Sequence, residues 1–250
     1  MKKFLIMFIC SIFLTFDLIA QNNALEMVKI PNTNIKMLTT EVSQNLYYFV
    51  MGELPDVMKG DEKDSLPICY ISLYDAMYFC NKLSVLSGLK PVYSFNGKTD
   101  VSTWNYIPHK AKYLDGIVCA KKKANGYRLP TIKEWQIAAN SGESYIYSGS
   151  NDIDEVAWFL GNSQKKSHDV GIKKPNQYGL YDMTGNVTEW CWDWPLDKDF
   201  NTDDESEFIP TLGGSFKSNE TTCMVNKVKR TLVNFSSNQV GFRIVCLNSE

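Results

Sequence analysis

The sequence has few of the side chains from which transition-metal sites and catalytic triads are built. It contains two histidines, His109 and His168, among 250 residues. This number excludes a His-rich metal cluster and argues against a Ser-His-Asp triad. Both histidines stand among polar residues, so we expect them in solvated loops. No two cysteines are spaced as CxxC, which argues against a zinc ribbon.

The sequence also lacks an excess of charge of either sign. Its 26 Lys and Arg side chains against 28 Asp and Glu give a net charge of −2, which leaves no electrostatic case for nucleic-acid binding. Tandem repeats and low-complexity segments are absent as well. With 44% hydrophobic and 22% charged residues, the composition is typical of a globular protein, and we expect a single domain over residues 21–250.

The amino-terminal apolar run is too short to span a bilayer comfortably. Residues 4–16 carry no charge and follow Lys2 and Lys3, which is the pattern of a secretory signal peptide cleaved after Ala20. We therefore expect residues 1–20 to be removed and the protein to be exported, to the periplasm, the cell surface or the medium. No transmembrane segment is expected after cleavage, and lipidation at Cys10 stays open.

Six cysteines follow the signal peptide, at positions 69, 80, 119, 191, 223 and 246. An exported protein can oxidise such cysteines, and six of them allow fifteen pairings. The sequence alone does not choose among these pairings.

Two amphipathic helices are predicted, each with a capping box at its start. The first begins after Ser72, with Asp75 three residues on, and ends near Gly88. Apolar residues recur on one of its faces at the 3.6-residue period, namely Ala76, Phe79, Cys80, Leu83 and Leu86.

The second helix begins after Thr131, with Glu134 in the capping-box position, and ends at Gly142. Its predicted buried stripe is Ile132, Trp135, Ala138 and Ala139. Arg128 lies just before it, and a buried arginine requires a carboxylate partner. The candidates for that partner are Glu134, Asp182 and Glu189.

The remaining hundred or so residues combine Gly, Asn, Asp and Ser with short apolar pieces such as EVAWFL, TLGGSF and VGFRIVC. This pattern predicts loops attached to small sheets. Two helices followed by such loops indicate an α+β fold.

The motifs, in their order, resemble those of the formylglycine-generating-enzyme (sulfatase-modifying factor) domain family over about residues 26–247. The matching pieces are MVKIP, EVSQNLYYFVMGE, SLYDAMYFCNKLS, GLKPVYSF, NGYRLPTIKEWQIAA, NQYGLYDMTGNVTEWCWDW, LGGSF and VGFRIV. The resemblance implies a C-type-lectin-like α+β core with two main helices, small antiparallel sheets and many long loops. It also implies a disulfide between Cys80 and Cys246.

In this family the GN-x-x-EW turn binds calcium. The resemblance implies side-chain ligands at Asp182 and Glu189 and carbonyl ligands at Gly185 and Val187, and hard oxygens of this kind suit calcium. Glu189 could instead pair with Arg128 or Arg243 in a metal-free turn. A second family calcium site would fall around Asn162 and Ser163, where the following loop is short and lysine-bearing.

The tryptophans of this stretch form a pattern of their own. Trp190, Trp192 and Trp194 alternate along the chain, so in an extended segment they share one face. We expect them to pack as part of the core beside the turn.

The family's activity is the oxidation of a substrate cysteine to formylglycine, with oxygen and with copper held by two cysteines beyond GGS. In this sequence Ser218 occupies the first of these positions and Cys223 the second. Two thiolates suit Cu(I), whereas a hydroxyl is a poor ligand for it. We therefore expect the copper site to be broken and Cys223 to be structural, with a catalytic role for Cys223 as the alternative.

Three functions remain open at this point. The first is a ligand-binding module that uses the polar segment 216–240 to bind a protein or a small molecule. The second is a copper- and oxygen-dependent oxidoreductase acting on a cysteine or another sulfur-containing substrate. The third is a structural component of the cell envelope.

Overall fold

The computed structural model describes residues 25–59, 63–110, 114, 116–193, 199–201 and 208–248. The predicted signal peptide, Cys10 and Trp194 lie outside these residues. The described chain forms four α-helices: α1 (Gln44–Met51), α2 (Leu73–Leu86), α3 (Ile132–Asn140) and α4 (Ile153–Val156). Short 3-10 helices occur at Asp56–Met58, Val101–Thr103 and Glu220–Cys223.

Ten short strands form three sheets in the described part of the chain. The strands are β1 (Met27–Lys29), β2 (Ile35–Leu38), β3 (Tyr93–Phe95), β4 (Ile117–Ala120), β5 (Thr188–Trp190), β6 (Asp199–Asn201), β7 (Phe208–Leu212), β8 (Lys229–Leu232), β9 (Val240–Gly241) and β10 (Val245–Leu247). Their orders are β1-β2-β10, β3-β4-β6 and β8-β7-β5-β9. The predicted α+β class with small sheets is confirmed, except that β9 runs parallel to β5 whereas the other pairs are antiparallel.

Helix α2 begins where the sequence predicts. Ser72 accepts a hydrogen bond from the Asp75 backbone N–H, and the Asp75 carboxylate accepts one from the Ser72 backbone N–H. These two bonds satisfy donors that the first turn of a helix leaves free. The predicted apolar face is fully buried from Ala76 to Leu83, and Leu86 packs against its edge.

Helix α3 begins with the predicted capping box of Thr131 and Glu134. It ends at Ser141, which takes the left-handed conformation with φ of 49°. Arg128 pairs with Glu134, the first of its three candidate partners, through two short hydrogen bonds of 2.7 and 2.6 Å. This pair ties the strand segment before the helix to its first turn.

The core surrounds α2 and continues to α3. Trp190 and Trp192 are both fully buried and belong to the same cluster as the apolar face of α2, which confirms the prediction for these two residues. Trp135 lies in a neighbouring cluster that includes Ile35, Met37 and Val245 of the β1-β2-β10 sheet. Both clusters thus lie against the turn that precedes β5.

The prediction that both histidines are solvated is wrong for His109. Its side chain is 7% exposed. Its Nε2 lies 3.0 Å from the hydroxyl of Tyr47, and its backbone N–H donates to Asp75. The capping carboxylate at the start of α2 therefore holds this loop inside, which local sequence polarity does not reveal.

The disulfide implied between Cys80 and Cys246 is wrong, since all six described cysteines are free. Cys80 is fully buried on the apolar face of α2, whereas Cys246 lies half-buried on β10 opposite Lys36. The free thiols at most of these positions pack as small apolar side chains.

Among the described residues, no helix is both long and apolar enough to cross a membrane.

Candidate functional site

The turn before β5 requires glycine at position 185. Gly185 has a φ of 81°, and a Cβ there would collide with the backbone of Trp158. Only glycine adopts this conformation with so close a neighbour. The N–H of Asn186 then donates to the Trp158 carbonyl at 2.8 Å, which fixes the turn against the segment after α4.

Glu189 lies at the end of this turn and forms a fully buried ion pair with Arg243. Both side chains have no exposed surface, and their nitrogen–oxygen distances are 2.7 to 2.9 Å. The indole N–H of Trp135 donates to Glu189 Oε2 at 2.6 Å. Both carboxylate oxygens of Glu189 are therefore already bonded within the protein.

Two further buried acids surround this pair. Glu41 accepts hydrogen bonds from the Val187 backbone N–H and from the Asn186 side chain, at 2.8 and 2.7 Å. Asp182 accepts one from the Gly171 backbone N–H at 2.7 Å, and its Oδ1 has no hydrogen-bond partner. Burial is the largest cause of the raised pKa of both acids. The pKa of Asp182 is raised to about 6.

These contacts fit the arginine pair better than the calcium ligand set predicted at Asp182, Gly185, Val187 and Glu189. A calcium ion would need carboxylate oxygens that Glu189 gives to Arg243 and Trp135. Among the described residues, no group of three or more His, Cys, Asp and Glu side chains is placed to hold a metal ion. Calcium binding at this turn stays a prediction of the sequence.

Replacing Asp182 by asparagine distinguishes the two interpretations of the turn. The raised pKa means that the buried carboxylate destabilises the fold as pH rises from about 4, its unfolded value, through about 6. Asparagine keeps the acceptor for Gly171 and removes the charge. We expect Asp182→Asn to unfold with a free energy about 2 kcal/mol higher than wild type at pH 7.5, and with no difference near pH 4.

The measurement is urea unfolding of both proteins at the two pH values, in EDTA and in excess calcium. A variant that is less stable than wild type at pH 7.5 contradicts the ion-pair interpretation. A stabilisation by calcium that wild type shows and Asp182→Asn lacks would support the calcium site.

At the second calcium site that the resemblance implies, Asn162 and Ser163 form hydrogen bonds within the protein. Asn162 donates through its side chain to Asp154 and to the Ala157 carbonyl. Ser163 is fully buried and donates to the Phe216 carbonyl at 2.6 Å. These bonds join the loop after α4 to the segment that follows GGS.

That segment brings Ser218 and Cys223 to the backbone of Gly214 and Ser215. The N–H of Ser215 donates to Ser218 Oγ at 2.9 Å. Cys223 ends the 3-10 helix, is fully buried and packs against Gly214. Burial raises the pKa of this thiol to about 12, against a smaller lowering by the Ser215 N–H.

The donor set at this position therefore does not fit Cu(I). One sulfur is present, it is protonated at neutral pH, and its neighbour is a hydroxyl that is a poor Cu(I) ligand. The loss of the family's two-thiolate copper site stays a prediction of the sequence.

A polar cleft of about 560 Å³ opens beside Ser218. The row of strands β9, β5, β7 and β8 contributes one side of it, and the loops after GGS and after β8 contribute the others. The cleft is lined by Thr188, Thr211, Gly214, Ser215, Ser218, Thr221, Thr222, Lys227, Val228, Lys229, Thr231, Phe235, Ser237, Gln239 and Val240. Its volume lies in the range of small-ligand sites.

The cleft agrees in large part with the polar segment 216–240 that the sequence singles out. Gly214 and Ser215 directly precede that segment, whereas Thr188 and Thr211 lie outside it on β5 and β7 and were not predicted. They are placed by pairing of β5 with β7 and of β7 with β8, in which Thr211 lies opposite Lys229. The local sequence around these two threonines does not mark them as cleft residues, because threonine is common in β-strands of any role.

The chain is similar to proteins of known family over most of its length. The sequence pattern of the sulfatase-modifying factor enzyme 1-like domain matches residues 24–247. The chaperone protein LppX of Paenibacillus barcinonensis is 33% identical over 228 residues, covering 82% of this chain and 77% of LppX. The formylglycine-generating enzyme of Thermomonospora curvata is 31% identical over 147 residues, 47% of this chain and 48% of that enzyme.

Among solved structures, the variable protein 1 of Treponema denticola superposes with a TM-score of 0.72 at 29% identity, covering 89% of this chain and 91% of that protein. This superposition and the three small sheets with loops between them agree with the C-type-lectin-like fold. The chain belongs to the formylglycine-generating-enzyme (sulfatase-modifying factor enzyme 1-like) domain family.

Proposed function

We propose that the protein is an exported ligand-binding module that uses the cleft beside Ser218 and does not carry out the family's cysteine oxidation. Export is supported by the signal-peptide pattern of residues 1–20. Binding is supported by the volume of the cleft and by its many hydroxyl groups. The ligand is a protein segment or a small molecule.

The observation that carries this proposal is a serine hydroxyl beside a single buried thiol. Ser218 Oγ accepts a hydrogen bond from the N–H of Ser215, and the Cys223 thiol packs against the adjoining Gly214. A Cu(I) site of the family's kind needs two thiolates there. The remaining thiol does not line the cleft, whereas Ser215 and Ser218 do. A cleft of ligand-binding size next to a single buried thiol supports binding without oxidation.

The relatives support a binding role in a general way. LppX carries the name of a chaperone, and a chaperone function consists of binding other polypeptides. The Treponema denticola relative is named only as a variable protein. Oxidation is the alternative function, since the formylglycine-generating enzyme is a relative too.

An aldehyde assay separates the two functions. The purified protein is supplied with Cu(I), oxygen and a cysteine peptide of the type that the family oxidises. We expect no aldehyde above the level given by copper and peptide alone, because the protein offers one protonated thiol. The formylglycine-generating enzyme of Thermomonospora curvata serves as the positive control.

Aldehyde formation that requires the protein and disappears in Cys223→Ala would overturn the proposal. It would assign the oxidoreductase function instead, with Cys223 as its catalytic residue.

A further inference from the structure

The charge of the cleft is opposite to that of the whole chain. The protein carries a net charge of −2, yet none of the fifteen lining residues is acidic and two are lysines, Lys227 and Lys229. Glu220 lies on the adjoining 3-10 helix without lining the cleft. A concave site with charge of one sign attracts ligands of the other sign.

Both lysines are free to meet a ligand. Neither forms an ion pair or a side-chain hydrogen bond with any residue that the structure describes. The neighbouring Arg230 differs, because it lies 3.8 Å from Asp193 and donates to the Phe208 carbonyl. Lys227 and Lys229 are thus two exposed lysines that line the cleft without a counter-ion in the described part of the chain.

The spacing of the lysines suggests the form of the ligand. Lys229 begins strand β8 and Lys227 lies two residues before it, and both line the same cleft. A second extended chain beside them presents its own alternate side chains at a matching spacing of about 7 Å. Acidic side chains at positions i and i+2 of a peptide would therefore meet both lysines.

The rest of the cleft suits a peptide. Thr211 and Thr231 hydroxyls lie 3.1 Å apart on the cleft side of the sheet, and Ser215 and Gln239 add further polar groups. Hydroxyls both donate and accept, so they can bond the N–H and C=O groups of a backbone. Phe235, 42% exposed, offers an apolar contact in the same cleft.

We infer that the cleft binds an extended peptide segment that carries acidic side chains two positions apart, held by Lys227 and Lys229. This inference rests on the proposed binding function of the cleft. It names the class of ligand and the two residues that select it.

Fluorescence anisotropy with labelled short peptides tests the inference. One probe set carries acidic residues at i and i+2 in otherwise degenerate sequences, and the matched set carries Asn or Gln at those positions. We expect the acidic set to bind at least about tenfold more tightly, and Lys227→Gln with Lys229→Gln to remove that preference. Lys121→Gln with Lys123→Gln, an equal charge change at exposed lysines outside the cleft, should leave binding unchanged.

Failure to bind the acidic set, or binding that both lysine double variants weaken equally, overturns the inference. Binding of a sulfated disaccharide or of inorganic phosphate in place of the peptides, with the same dependence on Lys227 and Lys229, overturns the peptide assignment. Binding of the amide set as tightly as the acidic set rejects the charge selection while leaving the proposed function intact. Failure of the proposed function itself would be seen in the separate aldehyde assay, as aldehyde formation that requires the protein.

Discussion

Replacing Ser218 by cysteine is expected to raise the affinity of the protein for Cu(I) at least about 100-fold, which corresponds to about 2.8 kcal/mol. The reason is geometric. Ser218 Oγ accepts from the N–H of Ser215 and the Cys223 thiol packs against the adjoining Gly214, so a sulfur at position 218 would stand near the one already present. Two neighbouring thiolates form the soft donor pair that Cu(I) prefers.

The measurement is a competition titration with a coloured Cu(I) chelator under reducing conditions. Thr221→Cys is the matched control, because Thr221 also lines the cleft but bonds to Asn219 rather than to Ser215. Its added thiol should leave the affinity near that of wild type. The gain in Ser218→Cys should disappear when Cys223→Ala is added. An unchanged affinity in Ser218→Cys would mean that positions 218 and 223 do not face a common point.

Replacing Glu189 by alanine is expected to lower the free energy of unfolding by about 3–5 kcal/mol. The change leaves the charge of Arg243 without a counter-ion in a site with no exposed surface. It also removes the acceptor of the Trp135 indole N–H. A domain with a total stability of about 5–15 kcal/mol would retain little margin.

Urea unfolding of the variants checks this expectation. Glu155→Ala is the control, since Glu155 pairs with Lys174 on the surface, where both side chains are about half exposed, and its loss should be far smaller than that of Glu189. Glu189→Met combined with Arg243→Met should cost less than Glu189→Ala, because Arg243 is removed together with its counter-ion, although Asp182 and Glu41 then lose a neighbouring positive charge. Recovery should be partial, as Arg243 also donates to the carbonyls of Leu38 and Tyr181. A loss below about 1 kcal/mol in Glu189→Ala would contradict the ion pair as the support of this turn.

The sequence predicts local features of the fold well. The capping boxes at Ser72 and Thr131 mark helix starts because the side chain and the backbone N–H that bond are three residues apart. Likewise, Arg128 finds its partner within six residues. Such features can be predicted because the two residues that bond to each other are close in the sequence.

Contacts between distant segments could not be predicted in the same way. Glu41 lies more than 140 residues from Asn186 and Val187, yet its carboxylate holds the turn before β5. The burial of His109 depends likewise on a carboxylate 34 residues away. Nothing in the local pattern around Glu41 or His109 indicates such a partner.

The candidate site lies between these two cases. The family resemblance locates Ser218 and Cys223, and the polar composition of residues 216–240 indicates a binding surface. The cleft itself needs the register of β5, β7 and β8, which sets Thr211 opposite Lys229. Short strands of this kind carry too few residues for their pairing to be read from alternation alone.

The most direct test of the central claim is the copper content of the wild-type protein, purified from cells grown with added copper and measured by elemental analysis. A buried, protonated Cys223 beside a serine hydroxyl predicts copper far below one atom per chain, with no change in Cys223→Ala. One copper atom per chain that Cys223→Ala removes would contradict the account, because it would show a complete copper site beside the cleft.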